Sequence, residues 1–454
     1  MTPPATIGNV DTDRHDAIAA EPDLGADLFP YEENAVPRIY LNNAATTWPK
    51  PDPVLRAVDD CLKGPAAAMR QEIGATGGTG KDGGGKGVMD ACREIVSDLL
   101  NIPHPERLSL LPGCTYAINL AMHGQPWAAG DRLVISGLEH HAVSRPARKI
   151  ARDHGVVLEI SPYARNRPFD LEWLEATLKA GCVRMVAVTA SSNVTGQVLP
   201  IAEITRLAKQ HGVMVLIDAA QAAGVLPLDV AALAGGDPDM GPDMVAFAGH
   251  KGLFGPLGIG CLYTRPGLKL RTLAEGGTGG DSGKHEMTND APSLYEVGSH
   301  NLPAIAGLAA GARWVASLGV EAVHAYEGAL SSRLREGLAE LPGVTVVAGG
   351  DDCAPHGRTP VVSFTHAEKT PKEISGALAR RGISTRAGFH CAPLAHETIG
   401  TLSRPVSSEI GPDGGPCEPT GPSPMDGTVR MSPGFFSTMG EMDETVGAVG
   451  EVVV

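Results

Sequence analysis

The feature that most constrains this chain is an alternation of short apolar runs with amphipathic stretches between residues 38 and about 265. The apolar runs have the length of buried strands, and the stretches between them have the period of helices. A chain that alternates in this way is expected to form an α/β fold with a mostly parallel sheet between two layers of helices. The predicted buried strands are residues 133–136, 156–160, 185–189, 213–217 and 244–247, and the clearest helices between them are 170–180 and 201–211.

The pattern changes after residue 300, where helices and short strands mix in an α+β arrangement. A chain of 454 residues is also too long for one compact core. We therefore predict a flexible extension over residues 1–36, a large domain over 37–300 whose first segment packs on the small domain, and a small domain over 301–454 with a long loop at 403–427. The predicted elements of the small domain are helices at 302–318, 327–341 and 371–381 and strands at 344–347 and 361–364.

Charge and cysteine content narrow the class of protein. The net charge is −15 without any block of five like charges, which argues against nucleic acid as the main partner. No run approaches the roughly 18 apolar residues of a membrane span, and residues 1–20 lack the apolar stretch of a secretory signal, so we expect a cytoplasmic protein. None of the eight cysteines forms a C-x-x-C pair, so the sequence predicts neither a metal site nor a disulfide framework.

Four polar residues follow the predicted strands. Asp218 follows strand 213–217, His250 and Lys251 follow strand 244–247, and His140 follows strand 133–136. In an open α/β sheet, ligands bind at the carboxyl ends of the strands. The four side chains are therefore candidates for one shared site.

These residue types match the parts that pyridoxal phosphate (PLP) requires. Lys251 supplies the amine for a Schiff base, Asp218 a carboxylate for the pyridine nitrogen, and His140 a flat ring to cover the cofactor. The turn that contains Cys114 and Thr115 precedes a helical stretch, whose first N–H groups are suited to hold the phosphate. The sequence therefore predicts a PLP site centred on Lys251.

Seven short motifs, in order from about Tyr40 to Thr445, resemble those of the cysteine desulfurases, a family within the class V aminotransferase-like PLP enzymes of fold type I. No single motif is specific, but the ordered set over some 400 residues is. The motifs are residues 40–47, 139–143, 192–196, 217–221, 249–252 with 255–256, 386–393 and 429–432.

The resemblance implies a role for each matching residue at the ring. Lys251 would carry the cofactor, Asp218 would pair with the pyridine nitrogen and Gln221 with the phenolic oxygen. His140 would stack on the ring and help to move protons. Asn193 would contact the cofactor or the substrate carboxylate.

The other implied roles concern the phosphate and the substrate. Thr115 and His250 would hold the phosphate, although Ala248 stands where the family pattern has a hydroxyl residue. Arg430 would bind the substrate carboxylate, which suits its planar fork of donors. Ser299 would reach the phosphate of the neighbouring subunit, because these enzymes are homodimers with shared sites.

Cys391 decides which reaction the resemblance implies. It occupies the family's nucleophile position, beside His390 and near Arg386, and cationic neighbours favour the reactive thiolate. L-cysteine would then be converted to L-alanine, with a persulfide on Cys391 that passes to a sulfur-acceptor protein or another acceptor.

Several alternatives remain open at this point. Within PLP chemistry they are a selenocysteine or cysteine-conjugate lyase, a class V aminotransferase or a biosynthetic enzyme of the same fold. A non-catalytic homologue is disfavoured because Lys251, Asp218 and Arg430 are all present. Nucleotide binding by the Gly-rich stretch 73–85 is disfavoured because the stretch lacks the G-K-[ST] ending of a phosphate loop.

Overall fold

A computed structural model describes residues 37–64, 87–278, 283–287, 290–403, 423 and 425–454. The predicted extension at 1–36, the Gly-rich stretch 73–85 and most of the predicted loop at 403–427 lie outside the described residues. The proposed domain limits stay a prediction.

The centre of the fold is a seven-stranded sheet. Counted from one edge, the first five strands are parallel to one another, whereas the sixth runs antiparallel to both of its neighbours. The predicted mostly parallel sheet is therefore confirmed, with each predicted strand found to within two residues. In spatial order the strands are β4 (Val157–Ile160), β3 (Arg132–Ile135), β5 (Val183–Thr189), β6 (Met214–Asp218), β7 (Met244–Ala248), β8 (Gly260–Thr264) and β2 (Leu108–Leu111).

One prediction about this sheet is wrong. Residues 156–160 were expected to be buried, but β4 is an edge strand in which Val157 and Ile160 are 47% and 37% exposed. An apolar run predicts a strand but not the position of that strand in the sheet. An edge strand has a neighbouring strand on one side only, so its side chains are less covered. The pattern also does not predict β2 and β8, because β8 follows directly on a Gly-rich run that reads as a loop.

Helices cover both faces of the sheet, as the alternation predicts. Successive residues of β6 show this, because Val215 and Ile217 pack in one apolar cluster and Leu216 in the other. The helices of the first cluster are α2 (Val88–Leu100), α5 (Leu171–Lys179), α6 (Ile201–Gln210) and α7 (Leu302–Leu318), and those of the second are α3 (Cys114–His123) and α4 (His141–His154). Helix α1 (Asp52–Lys63) packs against α7.

A second, antiparallel sheet forms the C-terminal part of the chain. Its strands in order are β12 (Arg386–Gly388), β13 (Thr428–Met431), β10 (Val362–His366) and β9 (Val344–Val346). Three helices share its apolar core, namely α8 (Val320–Ala339), α9 (Pro371–Ala379) and α11 (Met439–Val453). The predicted helix at 327–341 therefore begins seven residues earlier than expected, at Val320.

The first described strand belongs to this second core. Strand β1 (Ile39–Tyr40) pairs in parallel with β11 (Ile383–Ser384), and Leu41 is buried in the same apolar cluster. The short helix α10 (Pro393–Thr398) follows the turn formed by His390 and Cys391, which is called the Cys391 turn below. As a result, Asn42 and the residues after it run from the second sheet toward the carboxyl edge of the first.

Among the described helices none is both long and apolar enough to cross a membrane alone. Helices α7 and α8 meet that criterion only as a pair, and they are bent by 82° relative to each other.

Candidate active site

The four strand-end residues lie together, as the sequence predicts. Asp218 ends β6, His250 and Lys251 follow β7, and His140 caps the N-terminus of α4. All four line one cavity of about 490 Å³ at the carboxyl edge of the parallel strands. Other residues of the predicted site that line it are Cys114, Thr115, Asn193, Gln221 and Arg430.

Lys251 and Asp218 interact electrostatically inside this cavity. Burial lowers the pKa of Lys251 below its usual value, and the negative charge of Asp218 opposes that shift. Burial raises the pKa of Asp218, and a hydrogen bond from the Ala220 N–H to Oδ1, 2.9 Å long, opposes that shift. The cavity therefore holds an amine that gives up its proton more readily than a free lysine, which is the property of a Schiff-base lysine.

His140 is held as a neutral ring. Its Nδ1 accepts a hydrogen bond from the Ala142 N–H at 3.0 Å, so the proton of the neutral imidazole resides on Nε2. Burial, and next the charge of Lys251, lowers the pKa of His140 to about 3. A neutral flat ring with an N–H group at Nε2 suits both stacking on a cofactor ring and hydrogen-bond donation.

The N-terminus of α3 fits a phosphate group. Helix α3 begins at Cys114, and its first N–H groups lack partners within the helix. A methyl group on Gly260 would lie 2.4 Å from the backbone nitrogen of Cys114, so only glycine allows β8 to pack against this turn. The thiol of Cys114 contacts Oδ1 of Asp218 at 3.7 Å. Because the side chain is engaged by this carboxylate, only the backbone N–H of Cys114 remains to bind a phosphate.

His250 supplies a further test of fit. Its Nδ1 is buried and has no hydrogen-bond partner among the described residues. Burial, together with the charges of Lys251 and Lys50, lowers the pKa of His250 to about 4, so the ring is neutral. A buried ring nitrogen without a partner, on a residue that lines the cavity, is a group that a ligand oxygen satisfies when that nitrogen carries the proton. The residues of this cavity therefore fit PLP.

Arg430 is a buried cation in the cavity without a carboxylate partner among the described residues. It is 1% exposed, and its Nη atoms donate to the Asn193 backbone oxygen at 3.0 Å and to Oδ1 of Asn42 at 3.2 Å. Its Nε has no partner, and no carboxylate of the described residues acts on it. Burial, and next the charge of Arg386, lowers its pKa to about 9. Because a buried cation without a counter-charge is costly, the arrangement fits a ligand carboxylate.

Gln221 and Asn193 are both buried and both engaged by the protein. Gln221 donates one amide N–H to the Ala44 carbonyl at 2.9 Å, which leaves its second N–H for a ligand. Asn193 donates from Nδ2 to the His390 carbonyl at 2.8 Å. Asn193 therefore connects the Cys391 turn to Arg430, a link that its position in the sequence does not indicate.

Cys391 lies beside the main cavity rather than in its lining. It is exposed and lines an adjoining groove that shares Thr115 and His140 with the cavity. Nη2 of Arg386 lies 3.4 Å from its Sγ. Arg386 and Arg430 are direct cross-strand partners in β12 and β13, so both guanidinium groups project from the same face.

The turn that carries Cys391 is strained and is held by its neighbours. His390 and Cys391 have φ values of 50° and 59°, which side chains other than glycine rarely adopt. Besides Asn193, the His141 N–H donates to the Cys391 carbonyl at 2.8 Å, and His390 Nε2 lies 2.8 Å from the Thr428 hydroxyl. Thr428 was missed from the sequence, although it lies two positions before Arg430 and therefore on the same face of its strand.

Ser299 is not part of this cavity. It is exposed on the single chain and absent from the cavity lining. Its expected contact involves a neighbouring subunit, so the role stays a prediction.

Comparison with known proteins agrees with this geometry. The model of the aminotransferase class-V family matches residues 39–444. The cysteine desulfurase of Pectobacterium atrosepticum is 31% identical over 83% of this chain and 89% of its own length. A probable cysteine desulfurase of Mycolicibacterium paratuberculosis is 30% identical over 92% of this chain, which spans only 56% of that longer relative.

The structure agrees at the level of the whole fold. A crystal structure of a cysteine desulfurase from Escherichia coli superposes with a TM-score of 0.74 at 26% identity, covering 93% of this chain and 96% of that one. The chain belongs to the cysteine desulfurase family of class-V aminotransferases.

Proposed function

We propose that this protein is a PLP-dependent cysteine desulfurase that converts L-cysteine to L-alanine and carries the sulfur as a persulfide on Cys391. The observation that carries the proposal is the buried Arg430, which has no carboxylate partner among the described residues. It lines the cavity that contains Lys251 and adjoins the groove of Cys391. An exposed cysteine next to an amino-acid carboxylate site favours sulfur transfer over transamination, which has no use for a thiol.

The cofactor supplies an electron sink for the substrate's α-carbon when it is bound. Its proposed contacts are Lys251 and Asp218 at the ring, His140 over the ring, Gln221 at the phenolic oxygen, and Cys114, Thr115 and His250 at the phosphate. Asn193 contacts the cofactor or the substrate carboxylate.

Side chains of the protein bind the substrate, move protons and accept the sulfur. Arg430 binds and orients the substrate carboxylate. The Lys251 amine accepts a proton from the α-carbon and returns it there when alanine forms. The Cys391 thiolate forms a bond to the substrate sulfur while the bond from sulfur to Cβ breaks and leaves its electron pair on carbon. His140 Nε2 relays the proton of the substrate thiol to Cβ, which completes the methyl group of alanine and leaves the outer sulfur of the persulfide as a thiolate.

Two further parts of the proposal concern assembly and location. We infer a homodimer in which Ser299 reaches the neighbouring subunit's phosphate. We also infer a cytoplasmic enzyme, because all seven described cysteines are free and a reactive thiol needs a reducing compartment.

The test uses the PLP-loaded enzyme, L-cysteine, and two variants that each remove an exposed thiol, Cys391→Ser and Cys182→Ser. We expect Cys391→Ser to lose alanine formation while it retains the absorbance of the bound cofactor, and Cys182→Ser to behave like the wild type. Full sulfur transfer by Cys391→Ser would contradict the persulfide route. Keto-acid production in place of alanine would support an aminotransferase.

A further inference from the structure

A second groove begins where Cys391 lies and leads away from the main cavity. Its volume is about 430 Å³. One wall is a stripe of α3 residues spaced four apart, Thr115, Asn119 and His123. The groove therefore follows α3 for about 12 Å, given a rise of about 1.5 Å per residue.

The other wall is a matching stripe on α4, formed by His141, Arg145 and Lys149, with Ala142 and Pro146 between them. The described residues that line the groove include no acidic residue, although the chain as a whole has a net charge of −15. Arg145 is exposed and forms no ion pair within the part of the chain that the structure describes. Among the described residues, Lys149 is paired only with Asp153 of its own helix.

These features point to a ligand that is both anionic and small. A volume of this size is typical of small-molecule sites. Protein interfaces are usually anchored by Trp, Tyr and Arg, and of these only Arg145 is found among the described residues that line the groove. Because Cys391 stands at its inner end, a ligand in the groove has direct access to sulfur carried by that residue.

We propose that this groove binds the final sulfur acceptor and that the acceptor is a low-molecular-mass thiol carrying carboxylates. The proposal rests on the proposed function, because it requires a persulfide on Cys391. Arg145 and Lys149 hold the carboxylates, and the acceptor thiolate attacks the outer sulfur of the persulfide. The sulfur–sulfur bond breaks, Cys391 leaves as a thiolate, and the acceptor departs as a persulfide, so no external oxidant or reductant is needed.

The experiment separates charge recognition from thiol reactivity. The PLP-loaded dimer is treated with L-cysteine, freed of excess substrate and mixed with 2-mercaptosuccinate, which has two carboxylates, or with 2-mercaptoethanol, which has none. The loss of persulfide is followed for the wild type, for the double variant Arg145→Gln/Lys149→Gln and for Arg152→Gln. Arg152 is the control, because it is an exposed cation on the same helix that lies outside the groove and, like Lys149, pairs with Asp153.

We expect the double variant to react roughly three- to tenfold more slowly with 2-mercaptosuccinate, given the size of exposed charge interactions. Its rate with 2-mercaptoethanol and both rates of Arg152→Gln should stay within about twofold of the wild type. The same factor for both thiols, or no change for either, would overturn the inference. So would an effect of equal size in Arg152→Gln.

The two proposals fail in different ways. If L-cysteine yields no persulfide on the wild-type enzyme, the proposed function is wrong and the acceptor site falls with it. If the persulfide forms normally but transfer ignores the acceptor's charge, only the acceptor site is wrong. Saturation of the wild-type rate by 2-mercaptosuccinate, and competition by succinate, would support binding in the groove.

Discussion

Replacing Thr428 with valine tests whether the protein holds the Cys391 turn in a strained position. Valine keeps the shape of this fully buried side chain and removes only the hydroxyl that lies 2.8 Å from His390 Nε2. The Nδ1 atom of His390 has no hydrogen-bond partner among the described residues, so both ring nitrogens would then be unsatisfied.

The expected magnitude follows from the strain and from the bonds that offset it. Two consecutive residues in the left-handed region cost about 1–2 kcal/mol each. Three hydrogen bonds, from Asn193, from His141 and between His390 and Thr428, offset this by about 0.5–1.5 kcal/mol each. The two sums are similar, so the loss of one bond, about 1–1.5 kcal/mol, should lower the population of the productive turn about five- to tenfold.

The assay is alanine formation in the first turnover, together with the absorbance of the bound cofactor. We expect Thr428→Val to slow alanine formation by this factor and to leave cofactor binding unchanged. Thr445→Val is the control, because Thr445 is also fully buried and its hydroxyl has no partner to lose. A wild-type rate in Thr428→Val, or an equal loss in Thr445→Val, would refute the reasoning.

Three further predictions test other parts of the account. Arg430→Lys should raise KM for L-cysteine by about tenfold or more and change kcat less, because an ammonium group lacks the paired N–H donors with which a guanidinium binds a carboxylate. Steady-state kinetics at saturating PLP measures both constants. Gly260→Ala should weaken PLP binding in an equilibrium titration, because its methyl group would meet the Cys114 backbone at 2.4 Å. Burial raises the pKa of Glu327 from 4.5 to about 8, so the folded state keeps a proton that the unfolded state releases between these values. Relative to Glu327→Gln, the wild type should therefore lose about 3 kcal/mol of unfolding free energy between pH 4.5 and pH 7. Urea unfolding of both proteins at the two pH values measures this difference. The same pH dependence in the two proteins would contradict the prediction.

The sequence predicts the part of the fold that local pattern determines. Apolar runs of strand length identify β3, β5, β6 and β7, and their carboxyl ends locate Asp218 and Lys251. The order of strands is not a local property, which is why the exposed edge position of β4 was missed.

The site also has parts that local sequence predicts and parts that depend on tertiary packing. Arg430 could be anticipated from a resemblance to a motif, but its missing counter-charge is visible only after the second sheet is packed against the first. Asn193 and Thr428 hold the Cys391 turn through hydrogen bonds to His390, from which they are 197 and 38 positions away in the chain. Contacts between such distant residues cannot be predicted from sequence spacing. The placement of Cys391 in a groove of its own is likewise a tertiary result.

The central claim is that Cys391 receives the sulfur of L-cysteine. The most direct measurement is mass spectrometry of peptides from the PLP-loaded enzyme, quenched in acid after one turnover and alkylated. The account predicts one added sulfur atom on the peptide that contains Cys391, in proportion to the alanine formed, and none on the peptide that contains Cys182. Alanine formed without added sulfur on Cys391, or with the sulfur on another cysteine, would contradict it.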